Sequence, residues 1–255
     1  MYQFESRVRY SEVDSHRRLT LTALFNYMQD CCSFQSEQFG VGVDYLTKIH
    51  AAWVISSWEV QLERKPTFGE KICVKTWPYA FRGFCGYRNF LLESAQGELL
   101  VRANSVWVFL DAKTMRPARI AEGICRAYEN ALCEPLSGNW SDRKIILPEG
   151  GEEKEPLRVA HAWIDTNGHM NNERYIEAAL EYLPQDYGVS GLRVEYKHSA
   201  MLGDRLYPVV SEEQGSMTVV LANEKQRPYA VVQFVKDGGH GGEGEARRIS
   251  EVKDH

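Results

Sequence analysis

The run Asp165-Thr166-Asn167-Gly168-His169-Met170-Asn171-Asn172 puts a carboxylate, an amide and an imidazole at alternate positions of one short segment. A carboxylate at a strand end can fix an amide by accepting its N–H. Imidazole is the side chain suited to moving protons near pH 7. Gly168 permits a tight turn between Asn167 and His169. Asn171 can cap a helix that starts directly afterwards, and the free N–H groups of its first turn make an anion site suited to a carbonyl oxygen that becomes an oxyanion. The chemistry such a set could do is proton transfer beside a carbonyl. The spacing alone also fits a second account, in which Asp165 and Asn167 build an Asx-type turn and His169 packs where the helix begins.

Competing motifs are weaker. Gly239-His240-Gly241-Gly242-Glu243-Gly244 matches the dinucleotide pattern letter for letter, but it follows no hydrophobic parallel strand and opens no apolar helix, so it reads as flexible tail. There is no G-x-S-x-G, no H-E-x-x-H and no Walker loop, which removes the commonest hydrolases and nucleotide-dependent enzymes. Cys31, Cys32, Cys73, Cys85, Cys125 and Cys133 show no C-x-x-C spacing and read as reduced, buried small hydrophobes. Cys31-Cys32 lies on an apolar helical stripe and reads as core rather than nucleophile. No metal site and no cofactor are expected.

The elements that must position the loop come from an internal repeat. Arg7-Val8-Arg9-Tyr10-Ser11-Glu12-Val13-Asp14 resembles Arg158-Val159-Ala160-His161-Ala162-Trp163-Ile164-Asp165 at an offset of 151, and both read as strands ending in an aspartate. After each comes a short polar loop and a helix. Its apolar stripe is Leu21, Leu24, Phe25, Met28 and Cys32 in the first copy, and Tyr175, Ile176, Ala179, Leu180 and Leu183 in the second. Thr20 and Asn171 are the matching caps, with Leu19/Leu24 and Met170/Tyr175 as flanking staples.

Further on, Val60 to Glu70 aligns without gaps to Val194 to Asp204, the first copy holding seventeen more residues around Gly40 to Ile55. Strands are predicted over Ile72 to Trp77, Tyr87 to Glu93 and Leu99 to Leu110, and over Arg205 to Ser211, Ser216 to Ala222 and Tyr229 to Lys236. Each half is thus a strand, a long helix and several antiparallel strands, a helix wrapped by one sheet. Within the repeat Asn167 faces His16 and His169 faces Arg18. The fold-making features persist while the amide and imidazole do not, which suggests one catalytic half and one substrate-holding half.

Composition is that of an ordinary globular protein: 255 residues, 44% hydrophobic, 25% charged, with 30 basic against 35 acidic side chains and a net charge of −5. The boundaries expected are an N-terminal domain over 1–135, a linker over 136–156 with polar Glu149 to Pro156 at its end, a C-terminal domain over 157–236, and a flexible tail over 237–255. No membrane span, no export signal and no nucleic-acid partner are expected, and the chain reads as cytoplasmic. The sequon at Asn139-Trp140-Ser141 is then accidental.

Ile164 to Ile176 resembles the signature of the acyl-acyl carrier protein thioesterases, D-x-N-x-H-x-N-N-x-x-Y. The first half agrees through Trp53-Val54-Ile55, Thr76-Trp77-Pro78, Arg88-Asn89-Phe90, Ser105-Val106-Trp107-Val108 with Asp111, and Arg116-Pro117. The match runs from about Phe4 to Phe234. The resemblance implies an α+β fold of two tandem hotdog domains, each an antiparallel sheet wrapping a long central helix. It implies hydrolysis of the thioester between a fatty acyl chain and the phosphopantetheine arm of acyl carrier protein, ending fatty acid synthesis. Carried over residue by residue, Asp165 would orient Asn167, Asn167 would hold the thioester or the attacking water, and His169 would share in activating that water.

One departure stands out. Where the family often has glutamate, followed in many members by cysteine, this chain has Ser199 and Ala200. Glu195 on the same strand would lie about 13 Å away and is a poor substitute. Trp53, Trp77, Trp107 and Trp163 could line an acyl tunnel or be core. Arg17-Arg18 and Arg64-Lys65 could meet the acidic carrier or be solvated surface. A hotdog thioesterase acting on acyl-CoA and a silent acyl-group binder are the alternatives. A homodimer of the whole chain is left open, since the fused repeats already supply the two-hotdog unit that relatives build as a dimer.

Overall fold

The computed structural model describes residues 1–138, 140, 144–165 and 167–238. In chain order the elements are β1 (Tyr2–Arg7), α1 (Leu21–Gln38), α2 (Val43–Lys48), β2 (Ala51–Leu62), β3 (Lys71–Arg82), β4 (Cys85–Ser94), β5 (Leu99–Asp111), β6 (Arg116–Pro117), α3 (Glu122–Tyr128), β7 (Glu152–Glu153), β8 (Leu157–Arg158), α4 (Asn172–Leu180), β9 (Val189–Tyr196), β10 (Arg205–Glu213), β11 (Ser216–Ala222) and β12 (Pro228–Lys236). The strands form one antiparallel sheet in the order β1-β3-β4-β5-β2-β9-β12-β11-β10-β7, with β6 on β5 and β8 on β10. The six long strands predicted are all present, several of them longer than predicted.

The two halves have mirrored strand orders. β1-β3-β4-β5-β2 in the first corresponds to β8-β10-β11-β12-β9 in the second, and β2 meets β9 in the middle, Trp58 opposite Val194 and Val60 opposite Leu192. The helices lie together on one face. Leu21, Leu24, Phe25 and Met28 of α1 and Tyr175, Ile176 and Ala179 of α4 share a single core with Val60, Leu92 and Val101 of the first half and Leu192, Val194 and Phe234 of the second. Each such side chain contributes about 1.5–3 kcal/mol by leaving water. A second, smaller core forms where Phe109, Ile120, Ile124 and Tyr128 pack beside α3.

Local chemistry sets the helix limits. Thr20 Oγ1 accepts the Ala23 N–H at 3.2 Å, α1 carries no glycine or proline, and it gives way to Gly40 at φ 70°. α4 is capped by Asn171 and is half as long, stopping four residues before Pro184, so Leu183 falls outside it.

One reading needs correction. The segments Arg7 to Asp14 and Arg158 to Asp165 are not strands. Strand pairing ends at Arg7 and Arg158, and each chain then folds into a 3-10 turn, Tyr10–Glu12 and His161–Trp163. Apolar alternation there reflects side chains packed from a turn, with Val8 and Val159 both 1% exposed. Within the stretch read as linker, β7 pairs with β10. Among the cysteines, none is in a disulfide, and only Cys31, Cys32 and Cys85 are fully buried. The glycine-rich run at Gly239 to Gly244, most of the tail and parts of the sequon lie outside the described residues. Among the described residues no helix is long and apolar enough to cross a membrane.

Candidate active site

Asp165 is the organising group of the loop before α4. Its Oδ1 accepts the backbone N–H of Asn167 at 2.8 Å and of His169 at 3.3 Å, while Oδ2 accepts Asn167 Nδ2 at 3.3 Å. The turn is closed by Asp165 N–H donating to His169 O at 2.8 Å and Gly168 N–H donating to Asp165 O at 3.1 Å. Gly168 sits at φ 77°, where a Cβ is disfavoured. Asn171 N–H bonds Trp163 O and Met170 N–H bonds Ala200 O, so the loop is held from both sides. The Asx-type turn therefore exists, and it holds the Asn167 side chain on Asp165. With one Nδ2 proton on Asp165, Asn167 keeps a second N–H and its carbonyl oxygen for other partners.

The first copy repeats the backbone bonds of this geometry. Asp14 Oδ1 accepts the N–H of His16 and of Arg18 at 2.9 Å each, Asp14 N–H donates to Arg18 O, and Arg17 takes the positive φ of Gly168. Leu19 N–H bonds Pro66 O as Met170 N–H bonds Ala200 O. The backbone frame is shared and only the side chains differ.

A cleft of about 330 Å³ lies beside α1. Its walls come from α1 (Cys32, Ser36), α2 (Val43, Leu46), β2 (Trp53) and the β3–β5 strands (Phe81, Arg88, Trp107), and Tyr128 of α3 also borders it. All of these belong to the first half. Among the described residues one lining residue belongs to the second: Asn167. Gly86 makes room for the aromatic wall, since a Cβ there would come within 3.1 Å of the Trp53 ring. Asp165 and Asn167 are thus joined to each other, and Asn167 reaches the cleft. His169, half-buried, shares the loop through its backbone but is not among the lining residues.

The other sequence candidates separate. Trp53 and Trp107 line the cleft, whereas Trp77 is buried with Nε1 donating to Glu134 O, and Trp163 packs against the main core. Ser199 is exposed and lies beyond β9, which ends at Tyr196, so it is not on the strand as aligned. Ala200 is fully buried, its N–H donating to Tyr175 Oη at 2.8 Å. Burial pushes the Tyr175 phenol up to about 12, keeping it neutral. Glu195 is committed elsewhere, accepting Ile145 N–H and pairing with Lys197. Arg64 is tied to Glu70 and Glu98, which removes it from any free basic patch.

Sequence reasoning missed two features. Arg88 entered only as a marker of resemblance, yet it is a buried cation in the cleft wall. Glu173, in the first turn of α4, is 6% exposed with Oε2 lacking a hydrogen-bond partner among the described residues. Burial raises its carboxyl above the usual range, and the charges of Glu177 and Asp165 add to that while Arg174 opposes it.

The family model of the acyl-ACP thioesterase N-terminal domain matches residues 1–128, and that of the acyl-ACP thioesterase C-terminal domain matches residues 148–234. A palmitoyl-acyl carrier protein thioesterase of Gossypium hirsutum is 28% identical over 206 residues, 74% of this chain and 50% of that protein. An oleoyl-acyl carrier protein thioesterase of Arabidopsis thaliana is 27% identical over 201 residues, 72% and 55% respectively. The chain spans about half the length of the curated relatives it matches. Among solved structures, an acyl-ACP thioesterase from Bacteroides thetaiotaomicron superposes with a TM-score of 0.84 at 24% identity, covering 91% of this chain and 96% of that one. The 12:0-ACP thioesterase from Umbellularia californica does so with 0.82 at 20%, covering 92% and 96%. These likenesses concern the fold, whereas the two family models between them span both copies of the repeat and the loop at Asp165, and on that ground the chain belongs to the acyl-ACP thioesterase family.

Proposed function

We propose that the chain hydrolyses the thioester of a fatty acyl group carried on the phosphopantetheine of acyl carrier protein, releasing the free fatty acid. The observation that carries this reading is that, among the described residues, one second-half residue lines the cleft. Asn167 stands at a pocket of mixed lining built by the first half, with Val43, Leu46, Trp53, Phe81 and Trp107 as its apolar part, which is where an acyl chain and its thioester would meet a polar group. The two halves are two tandem hotdog domains, 1–135 and 157–236, joined by the 136–156 linker, the first holding the chain and the second supplying the chemistry.

In this mechanism Asp165 fixes Asn167, whose remaining N–H or oxygen holds the thioester carbonyl or the attacking water. His169 takes the proton from water as its oxygen bonds to the carbonyl carbon. The charge gathering on the carbonyl oxygen is met by N–H donors near the start of α4. Collapse of the tetrahedral centre breaks the C–S bond, and the proton held by His169 passes to the departing sulfur. No cofactor or metal takes part, and the setting is cytoplasmic fatty acid synthesis.

The test is turnover of one acyl group presented on acyl carrier protein and on CoA. A higher kcat/KM on the carrier supports the reading. A higher value on CoA points to an acyl-CoA thioesterase, and tight binding without turnover to a silent acyl binder.

A further inference from the structure

The walls of the cleft run out to one end of the first half. Thr47 of α2 lines the cleft, and Lys48, Ile49 and His50 follow it in the chain. Phe81 of β3 and Gly86 of β4 line it too, and the turn between those strands is Arg82-Gly83-Phe84 with Cys85. Trp107 lines it from β5, whose end turns through Lys113 and Met115 into β6. Backbone bonds join these tips into one surface. Ala112 N–H donates to His50 O and Phe109 N–H to Phe84 O, at 2.8 Å each, and Ile120 N–H donates to Gly83 O at 3.4 Å. The surface exposes Lys48, Arg82, Lys113, Arg116 and Arg119, none of which forms an ion pair among the described residues. Among these cations Ile49, Phe84 and Met115 are 37%, 46% and 54% exposed. Over α2, the β3–β4 turn and the stretch from Asp111 to Arg119 there are two carboxylates: Asp44, in the opposite turn of α2 from Lys48, and Asp111, whose Oδ1 already accepts the N–H groups of Lys113 and Thr114.

The repeat supplies a comparison. The turn between β10 and β11, which corresponds to the β3–β4 turn, carries exposed Glu212 and Glu213, and the second copy lacks the insertion that holds α2. In a chain of net charge −5 the cluster of cations at one end of the first half is therefore a local reversal of sign. Apolar side chains with a charged rim are the make-up of a protein-binding face, and this rim suits a partner that presents carboxylates. The basic run at Arg17-Arg18 is placed differently. It precedes α1, with Lys65 on the same side next to Pro66, whose O accepts the Leu19 N–H. The cleft is lined by Ser33, Ser36 and Glu37 toward the other end of that helix, about 18 Å along it at 1.5 Å per residue.

We infer that this end face, with Ile49, Phe84 and Met115 among Lys48, Arg82, Lys113, Arg116 and Arg119, is where the acidic carrier protein seats, its pantetheine arm at the rim of the cleft. The inference rests on the acyl-carrier reading for the partner's identity. It does not depend on turnover. Opposite charge speeds encounter and fixes orientation, so the face acts on KM rather than on the chemical step.

The test measures Kd of holo acyl carrier protein for the full chain by calorimetry. It also measures kcat/KM for one acyl group presented on the carrier and on free pantetheine, which keeps the thioester and loses the protein. The triple variant Lys48→Glu/Lys113→Glu/Arg119→Glu should weaken carrier binding about ten-fold or more, as expected when several exposed ion pairs of modest strength are reversed together. It should lower kcat/KM on the acyl-carrier by a similar factor, through KM, and leave acyl-pantetheine within about two-fold. If the triple variant does not fold, Lys113→Ala/Arg119→Ala should weaken carrier binding several-fold. Added salt should weaken binding to the natural chain, and Arg17→Glu/Arg18→Glu should leave it within about two-fold. Absent carrier binding, binding that survives the reversal, or an equal loss from Arg17→Glu/Arg18→Glu or on acyl-pantetheine overturns the inference. So does capture of anionic phosphatidylglycerol vesicles in place of the carrier, or a dimer of the chain that the reversal dissolves. A chain that binds the carrier through this face but hydrolyses no thioester defeats the proposed hydrolase and keeps the face. A chain that hydrolyses acyl-carrier equally well with and without the reversal defeats the face and keeps the hydrolase.

Discussion

Asn167 and His169 differ from their counterparts His16 and Arg18 only in side chain, because Asp165 and Asp14 hold their loops with the same backbone bonds. The repeat thus contains its own control. Asn167→Ala and His169→Ala should each lower kcat by about 10²-fold or more, the range for losing a carbonyl-holding donor or a general base. His16→Ala and Arg18→Ala should leave kcat within about two-fold. Comparable losses from both pairs, measured under saturating substrate, would end the division of labour. A second residue-scale prediction concerns Glu173. Its folded carboxyl is raised above the unfolded value of about 4.3, so its favourable contribution exists at low pH and is lost as pH rises through the raised folded value. Ionising this buried carboxyl, one oxygen of which has no partner among the described residues, is therefore a cost to the folded chain. Glu173→Gln should raise stability by on the order of 1 kcal/mol at pH 7–8, with the gain shrinking toward pH 4. Denaturant titrations at the two pH values check this, and a Glu173→Gln chain less stable at pH 8 would refute it.

At the scale of elements, the seventeen surplus residues of the first copy carry α2, and Val43, Leu46 and Thr47 of α2 line the cleft. The second copy lacks this insertion. Leu46 packs with the smaller core rather than the main one, so Leu46→Ala should raise KM several-fold while moving Tm by only a few degrees. An unchanged KM would place the acyl chain elsewhere. The long strands and both central helices were legible because their apolar spacing is the same signal that builds the core, as Leu21, Leu24, Phe25 and Met28 show. The caps Thr20 and Asn171 were legible for a similar reason, since their side chains satisfy neighbouring N–H groups. The turns at Tyr10–Glu12 and His161–Trp163 were not, because their alternation of apolar and polar residues imitates a strand. The loop at Asp165 could be read as a unit, yet the cleft could not. Its walls come from seven separate elements and the Asp165 loop, and nothing in the spacing of Ser36, Arg88 and Tyr128 brings them together.

Across the whole molecule the two halves are one folded body. β2 and β9 are hydrogen-bonded neighbours in the sheet, and α1 and α4 bury their stripes in a common core. Unfolding should therefore be a single cooperative event. Calorimetry should give a van't Hoff enthalpy close to the calorimetric one, and two separated transitions would show that the halves are independent. The same unity would make residues 1–135 alone a poor protein, since they would expose both a sheet edge and the side of α1 that α4 covers.

The meeting of β2 with β9 has a consequence for how the chain is made. Ser57 finds its partner in Glu195, and at ~5–20 residues per second a ribosome needs about 7–30 s to travel between them. During that interval the first half can pair β1, β3, β4, β5 and β2 with one another, but the free side of β2 has nothing to bond. An unoccupied strand edge recruits whatever similar strand is near. On a polysome the nearest candidate is the β2 of an adjacent nascent chain, in a half whose strand order mirrors the one still to come. Slow decoding between the two copies would lengthen that exposure, so the yield of correctly paired protein should depend on translation rate and on chaperones that shield the β2 edge.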